Sequence, residues 1–164
     1  MTDKVAVFED GPPWENPHEE AVDMIKQLTV FLENDAGRLS SLCQCLGDAG
    51  INMTTMMIAD TSEYGVARIV CDTPEKACAV LEENGFRAKT VEVAAVRISD
   101  EPGGLAKLMN AFGDAGINVE YAYCFATTND IATVIIKINP IEDARKVVES
   151  AGYCCIPPEE MYLQ

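Results

Sequence analysis

Two glycine-bearing turns carry the chemistry most open to a ligand in this sequence. Gly37 and the pair Gly103-Gly104 each stand at the start of a run with helical periodicity. Such a turn offers unpaired backbone N–H groups and the positive end of a helix, which suit a carboxylate. Glycine has no Cβ to hold a ligand away. Asn34, Asp35, Asp100, Asn52 and Asn118 add side-chain oxygens able to accept hydrogen bonds from an ammonium group. A plainer reading uses the same residues: the glycines permit the turns, Asp35 caps a helix, and the asparagines satisfy backbone groups where a strand begins. The second glycine of the Gly103-Gly104 pair favours the ligand reading, because glycine at a helix start costs roughly 1 kcal/mol and asks for a reason.

Other chemistries find no footing. His18 is the only histidine and lies in a proline-rich stretch, so neither a Cys-His nucleophile pair nor a histidine acid–base scheme assembles. The seven cysteines are Cys43, Cys45, Cys71, Cys78, Cys124, Cys154 and Cys155. Cys43 and Cys45 point apart on a helix, and only Cys43 falls on its apolar stripe. Cys154-Cys155 is too strained a pair for an ordinary disulfide and lacks nearby ligands. We expect no metal, no cofactor, no catalytic residue and no enzymatic activity. Asp48 and Asp114 read as solvated helix-end residues.

The charge balance narrows the partners. With 12 basic residues against 27 acidic ones the formal net charge is -15, a field that repels phosphate backbones and anionic membranes. An odd cysteine count without C-x-x-C spacing fits a reducing compartment. No apolar run approaches a membrane-spanning length, and the opening Met-Thr-Asp-Lys lacks a signal-peptide core. The expectation is a cytoplasmic protein that binds neither nucleic acid nor membrane.

The elements that position the two turns are duplicated. Gly47-Asp48-Ala49-Gly50-Ile51-Asn52 recurs unchanged 66 positions later as Gly113-Asp114-Ala115-Gly116-Ile117-Asn118. The same offset pairs Val30 with Val96, Gly37 with Gly103, Leu39 with Leu105, Leu42 with Leu108, Ile69 with Ile135 and Pro74 with Pro140. One inserted residue after Pro140 then aligns the ends. Each copy begins with a β-branched-rich strand, Lys26 to Glu33 and Glu92 to Ser99. Helices follow, with stripes Leu39, Leu42, Cys43, Leu46, Ala49 and Leu105, Leu108, Met109, Phe112, Ala115, stopped by Gly50 and Gly116.

Second strands run from Ile51 to Ala59 and from Ile117 to Phe125, the latter placing Val119, Tyr121, Tyr123 and Phe125 on one face. Val66 to Cys71 and Ile131 to Ile138 read as buried strands. Thr73-Pro74 and Asn139-Pro140 read as N-cap and first-turn pairs of second helices, and a short strand closes each copy. The order is βαββαβ twice, an α+β fold with antiparallel sheets and helices on one face. Residues 24–91 and 92–164 form the two units. Residues 1–23 carry seven acids and one Lys around Gly11-Pro12-Pro13-Trp14-Glu15-Asn16-Pro17 and read as a flexible acidic extension, with Met24 a plausible alternative start.

Two such units, with LENDAGRLSSL and SDEPGGLAKLM at the turns and GDAGIN repeated in frame, resemble a tandem pair of ACT domains over about residues 24–160. The resemblance implies regulation by a small ligand, usually a free amino acid, held at interfaces between ACT units. It places ligand contacts at Asn34, Asp35, Ala36, Gly37, Arg38, Leu39 and Asn52, and at Asp100, Glu101, Pro102, Gly103, Gly104, Leu105 and Asn118. The proline common before the turn glycine is Ala36 in the first unit, and Asn34 becomes Asp100 in the second, so the two sites need not be equivalent. Contacts often come from neighbouring units. The resemblance also suggests a target metabolic enzyme, such as an acyl-CoA ligase.

Met53, Met56 and Met57, with Tyr121, Tyr123 and Phe125, give the second strands apolar or aromatic surfaces, read first as inter-sheet packing. Covering a helix-free sheet face this apolar calls for dimerisation, hence a homodimer with four units. The competing reading is a protein-interaction module that keeps the fold and binds no metabolite.

Overall fold

The computed structural model describes residues 24–60, 64–128 and 130–162, the side chains of 125–128 excepted. Alternating burial along β1 (Ile25–Glu33) puts Leu28, Val30 and Leu32 against α1 (Arg38–Asp48) and α2 (Pro74–Glu83), which contribute Leu42, Leu46, Ala77 and Leu81. β2 (Met53–Asp60) and β3 (Tyr64–Cys71) complete this sheet with the first half of β4 (Arg87–Ser99). In the second unit Ala94, Val96 and Ile98 of β4 pack with Leu108 and Phe112 of α3 (Gly104–Asp114) and with Ala144, Val147 and Val148 of α4 (Ala144–Ser150). β5 (Val119–Thr128), β6 (Ile131–Ile138) and β7 (Cys154–Cys155) finish that sheet.

β4 belongs to both units. Its early residues pair with β1, its later ones with β6, and Val96 and Arg97 also pair with β7, so one sheet runs in the order β2-β3-β1-β4-β6-β5. The boundary expected between residues 91 and 92 therefore falls inside a continuous 13-residue strand. Pairing of β1 with β4 is symmetric about Lys26 opposite Glu92, two positions that the repeat makes equivalent. The units are thus related by an internal two-fold axis passing between them.

The helix-free face of the sheet also packs against itself. Ile25, Val70 and Val93, on the side of the sheet away from the four principal helices, form one core with Ala95, Ile135, Ile156 and Met161, joined by Tyr121 and Tyr123. The helix-free faces expected to need a second molecule cover each other in part within one chain. Met161 is carried by α5 (Pro158–Tyr162), a helix the repeat does not foretell, which is tied down by the Arg97–Glu160 ion pair and by a hydrogen bond from Thr54 to the Met161 carbonyl.

Several details of the repeat change. Leu28 faces Ile69 while Ala94 faces Ile136, so Ile69 corresponds to Ile136, not Ile135, and the extra residue precedes β6 instead of following Pro140. A β-bulge between Cys124 and Ala126 absorbs it. Another bulge, between Val119 and Tyr121, turns Val119 to the helix side while Tyr121 and Tyr123 face the opposite sheet, so these residues do not share one face; the Phe125 side chain lies outside the description. Pro140 is extended and opens a 3-10 turn, Ile141–Asp143, with α4 beginning only at Ala144. Residues 1–23, including His18, lie outside the described residues.

Candidate functional site

The two turns have the same backbone. Gly37 (φ 86°) and Gly103 (φ 93°) are left-handed residues at the N-caps of α1 and α3, a conformation that favours glycine. The Asp35 carbonyl accepts the Arg38 N–H at 3.2 Å, and the Glu101 carbonyl accepts the Gly104 N–H at 3.0 Å. Neither helix has a side-chain cap, so Asp35 does not fill the capping role its position suggests. Asn34, Asp35, Ala36, Gly37, Asp100, Glu101, Pro102 and Gly103 are all exposed. Leu39 and Leu105 are each 40% exposed, outside the core stripe that periodicity assigns them.

Their supports differ. In the first unit Arg38 donates to Glu33 at 2.7 Å and to the Gly85 carbonyl at 3.3 Å, with its guanidinium 4.1 Å above the Phe86 ring. Glu33 is held below the usual carboxylate range by a backbone hydrogen bond and by Arg38. In the second unit the equivalent of Arg38 is Gly104, which is buried; a Cβ there would lie 2.3 Å from the Ser99 carbonyl oxygen. The Tyr153 hydroxyl donates to the Gly104 carbonyl at 3.1 Å and sits 3.1 Å from the Ser99 hydroxyl. The second glycine thus answers to close packing of the protein's own backbone. Glu33, Phe86, Ser99 and Tyr153 are supports that reading the turns alone misses; the exchange of Arg38 for Gly104 at equivalent positions is the signal that points to them.

Asn52 and Asn118 do not join the turns of their own units. Met53, next to Asn52, pairs with Cys71, whereas Asp60 at the far end of β2 pairs with Gly65, beside the Glu33–Tyr64 pair that precedes the first turn. The 8 residues of β2 therefore separate Asn52 from residues 34–39 by about 26 Å. Asn118 is likewise beside the Val119–Ile138 pair, while the second turn follows the Ser99–Ile131 pair. Crossing between units does not help. The turns stand at the two poles of the molecule and both asparagines near its waist. An open groove of about 660 Å³ lies at that waist, lined in part by Lys26, Asp72, Glu75, Glu92 and Tyr162, and none of the candidate residues lines it. No group of potential metal ligands occurs among the described residues, and no described helix is long and apolar enough to cross a membrane.

This architecture, paired βαββαβ units each opening its first helix at a left-handed glycine, defines an α+β fold of the ferredoxin-like class. The chain belongs to the ACT domain pair family, whose profile matches residues 23–158. A solved protein from Bacteroides thetaiotaomicron is similar at 29% identity and a TM-score of 0.80, covering 87% of this chain and 99% of that one. The regulatory subunit of aspartate kinase from Thermus thermophilus, in its ligand-free form, shares the fold at 23% identity and a TM-score of 0.60, covering 80% of this chain and 95% of that one. The subunit from Thermus flavus does so at 22% and 0.58, with the same coverages. No curated protein matches.

Proposed function

We propose that this ACT pair is a regulatory module, not an enzyme, that binds a free amino acid at the turns 34–39 and 100–105 and transmits the occupancy to a target protein in the cytoplasm. The observation that carries the reading is the pair of exposed helix starts, each with a left-handed glycine and no side-chain cap. Their backbone N–H groups suit an α-carboxylate. Asn34, Asp35 and Asp100 supply acceptors for the ammonium group. Separation of Asn52 and Asn118 from the turns means that a ligand touching both a turn and an asparagine bridges two chains, which makes the working form a homodimer with four units. A metabolic enzyme such as an acyl-CoA ligase is the target we favour.

A thermal-shift screen against the twenty amino acids at millimolar concentration tests this. One amino acid or a related group raises the melting temperature by a few degrees, since a ligand at a hundred times its Kd stabilises by about 2.7 kcal/mol. Asn52→Ala and Asn118→Ala each weaken the shift, and sedimentation shows a dimer. No shift from any amino acid in a folded dimer would favour the second reading, an interaction module. Exposed Met56 and Ile58 on the edge strand β2 support that alternative.

A further inference from the structure

Arg68 stands out in the contact between the two sheets. It lies on the helix-free side of β3, opposite Thr29 of β1 and Met57 of β2. Its guanidinium carbon sits 3.9 Å above the ring of Tyr121, on β5 of the other unit. Its Nε is buried and meets no hydrogen-bond partner, and Arg68 makes no ion pair among the described residues, in a chain with 27 acidic side chains. Orphaned buried donors are rare, and an unmet one points to a missing acceptor.

The groups around it do not supply that acceptor. Gln27, fully buried, donates through Nε2 to the Tyr121 hydroxyl at 2.9 Å and to Thr29 at 3.4 Å, and accepts from the Tyr123 hydroxyl at 2.9 Å. Both of its N–H groups and one of its two acceptor positions are engaged. The Tyr121 hydroxyl accepts from Gln27, and its own proton finds no acceptor among the described residues. A stacked guanidinium keeps its N–H groups free in its plane. The site therefore offers a planar cationic group and a neighbouring O–H donor, on an Arg68 side chain that is half exposed although its Nε is buried.

We infer that Arg68 and the Tyr121 hydroxyl form a receptor for the carboxylate of a small monoanionic molecule, wedged between the two units. A carboxylate matches the fork with two parallel hydrogen bonds. A phosphate dianion fits poorly, because one local cation leaves its second charge unpaired within a strongly acidic molecule. Met57 and the Tyr121 ring give the remainder of the ligand an apolar, aromatic wall. This receptor is separate from the turns, so its failure leaves the reading of the turns standing, and the reverse also holds.

The test is nitrogen–proton NMR of the arginine Nε–H groups in the full chain, the Arg68 signal being assigned by its loss in Arg68→Met. Sodium acetate and sodium benzoate are titrated against sodium chloride at constant ionic strength. The expected result is a saturable shift of the Arg68 signal with either carboxylate at millimolar concentration, absent with chloride. Tyr121→Phe keeps the ring and removes the O–H, and weakens binding at least fivefold; Arg68→Lys abolishes the response of the remaining sheet-contact amides while their unperturbed positions report a native fold. An unsaturable response, or one reproduced by chloride, would overturn the inference. So would a shift driven by protein concentration alone, which would assign the acceptor to a second copy of the chain.

Discussion

At the scale of single residues, the two glycines of the second turn do different things. Gly103 serves a backbone conformation, and Gly104 serves a contact with the Ser99 carbonyl. Gly104→Ala forces a Cβ into that contact and is expected to cost 1–3 kcal/mol or more in urea unfolding. Gly103→Ala has open space around it, and its penalty of about 1–2 kcal/mol comes from the positive φ alone. Titration gives a second expectation. Burial holds the Tyr123 phenol well above the ordinary tyrosine range. An unfolded tyrosine loses its proton near pH 10 while the buried one keeps it, so above about pH 10 the folded state binds more protons and stability falls as pH rises. Urea unfolding at pH 8 to 11 checks this, with Tyr123→Phe flattening the decline.

At the scale of elements, periodicity and punctuation recover the helices and strands but not the irregularities between them. Leu42, Leu46, Leu108 and Phe112 and the glycine stops are legible because a repeated motif doubles every signal, whereas Leu39 and Leu105 lie exposed and Cys45, not Cys43, packs against the core. The bulge at Cys124–Ala126 is not, since apolar and β-branched residues line both registers and the chance match of Ile69 with Ile135 conceals the slip. α5 is invisible to the repeat because it has no counterpart in the first unit. Yet Met161 is fully buried in the contact between sheets, so Met161→Ala is expected to cost about 2–5 kcal/mol, measured as a change in the urea midpoint. Cysteine reactivity follows placement on the strands. Cys124 on edge strand β5 is exposed, while burial pushes the Cys155 thiol up to about 12 and Cys71 up to about 11. An aromatic disulfide reagent at pH 8 should modify Cys124 rapidly in the native protein, and Cys71 and Cys155 only on unfolding, a rate difference read by mass spectrometry.

At the scale of the whole molecule, the site is less legible than the fold. The turns can be placed from glycines and flanking polar residues, but whether Asn52 approaches the first turn depends on strand direction across three strands, which local sequence does not encode. Likewise, nothing near Gln27 announces that a polar residue within an apolar strand meets two tyrosines about ninety residues away. Because β4 threads both units and their inner faces share a core, we expect calorimetry to show one unfolding transition, and the separate halves 24–91 and 92–164 to remain unfolded.

The symmetry of β1 and β4 has an evolutionary meaning. In a homodimer of single units the residue on the axis would meet its own copy, Lys26 against Lys26, a repulsion that identical chains cannot relieve. Here the opposed residues are Lys26 and Glu92; the ion pair with Glu75 does most to raise the Lys26 pKa, and the Glu92 charge adds a smaller push in the same direction. Fusion of two copies into one polypeptide freed the halves to specialise, acid on one side and base on the other. The two units behave as an obligate heterodimer whose partners are covalently joined, so their pairing survives any dilution.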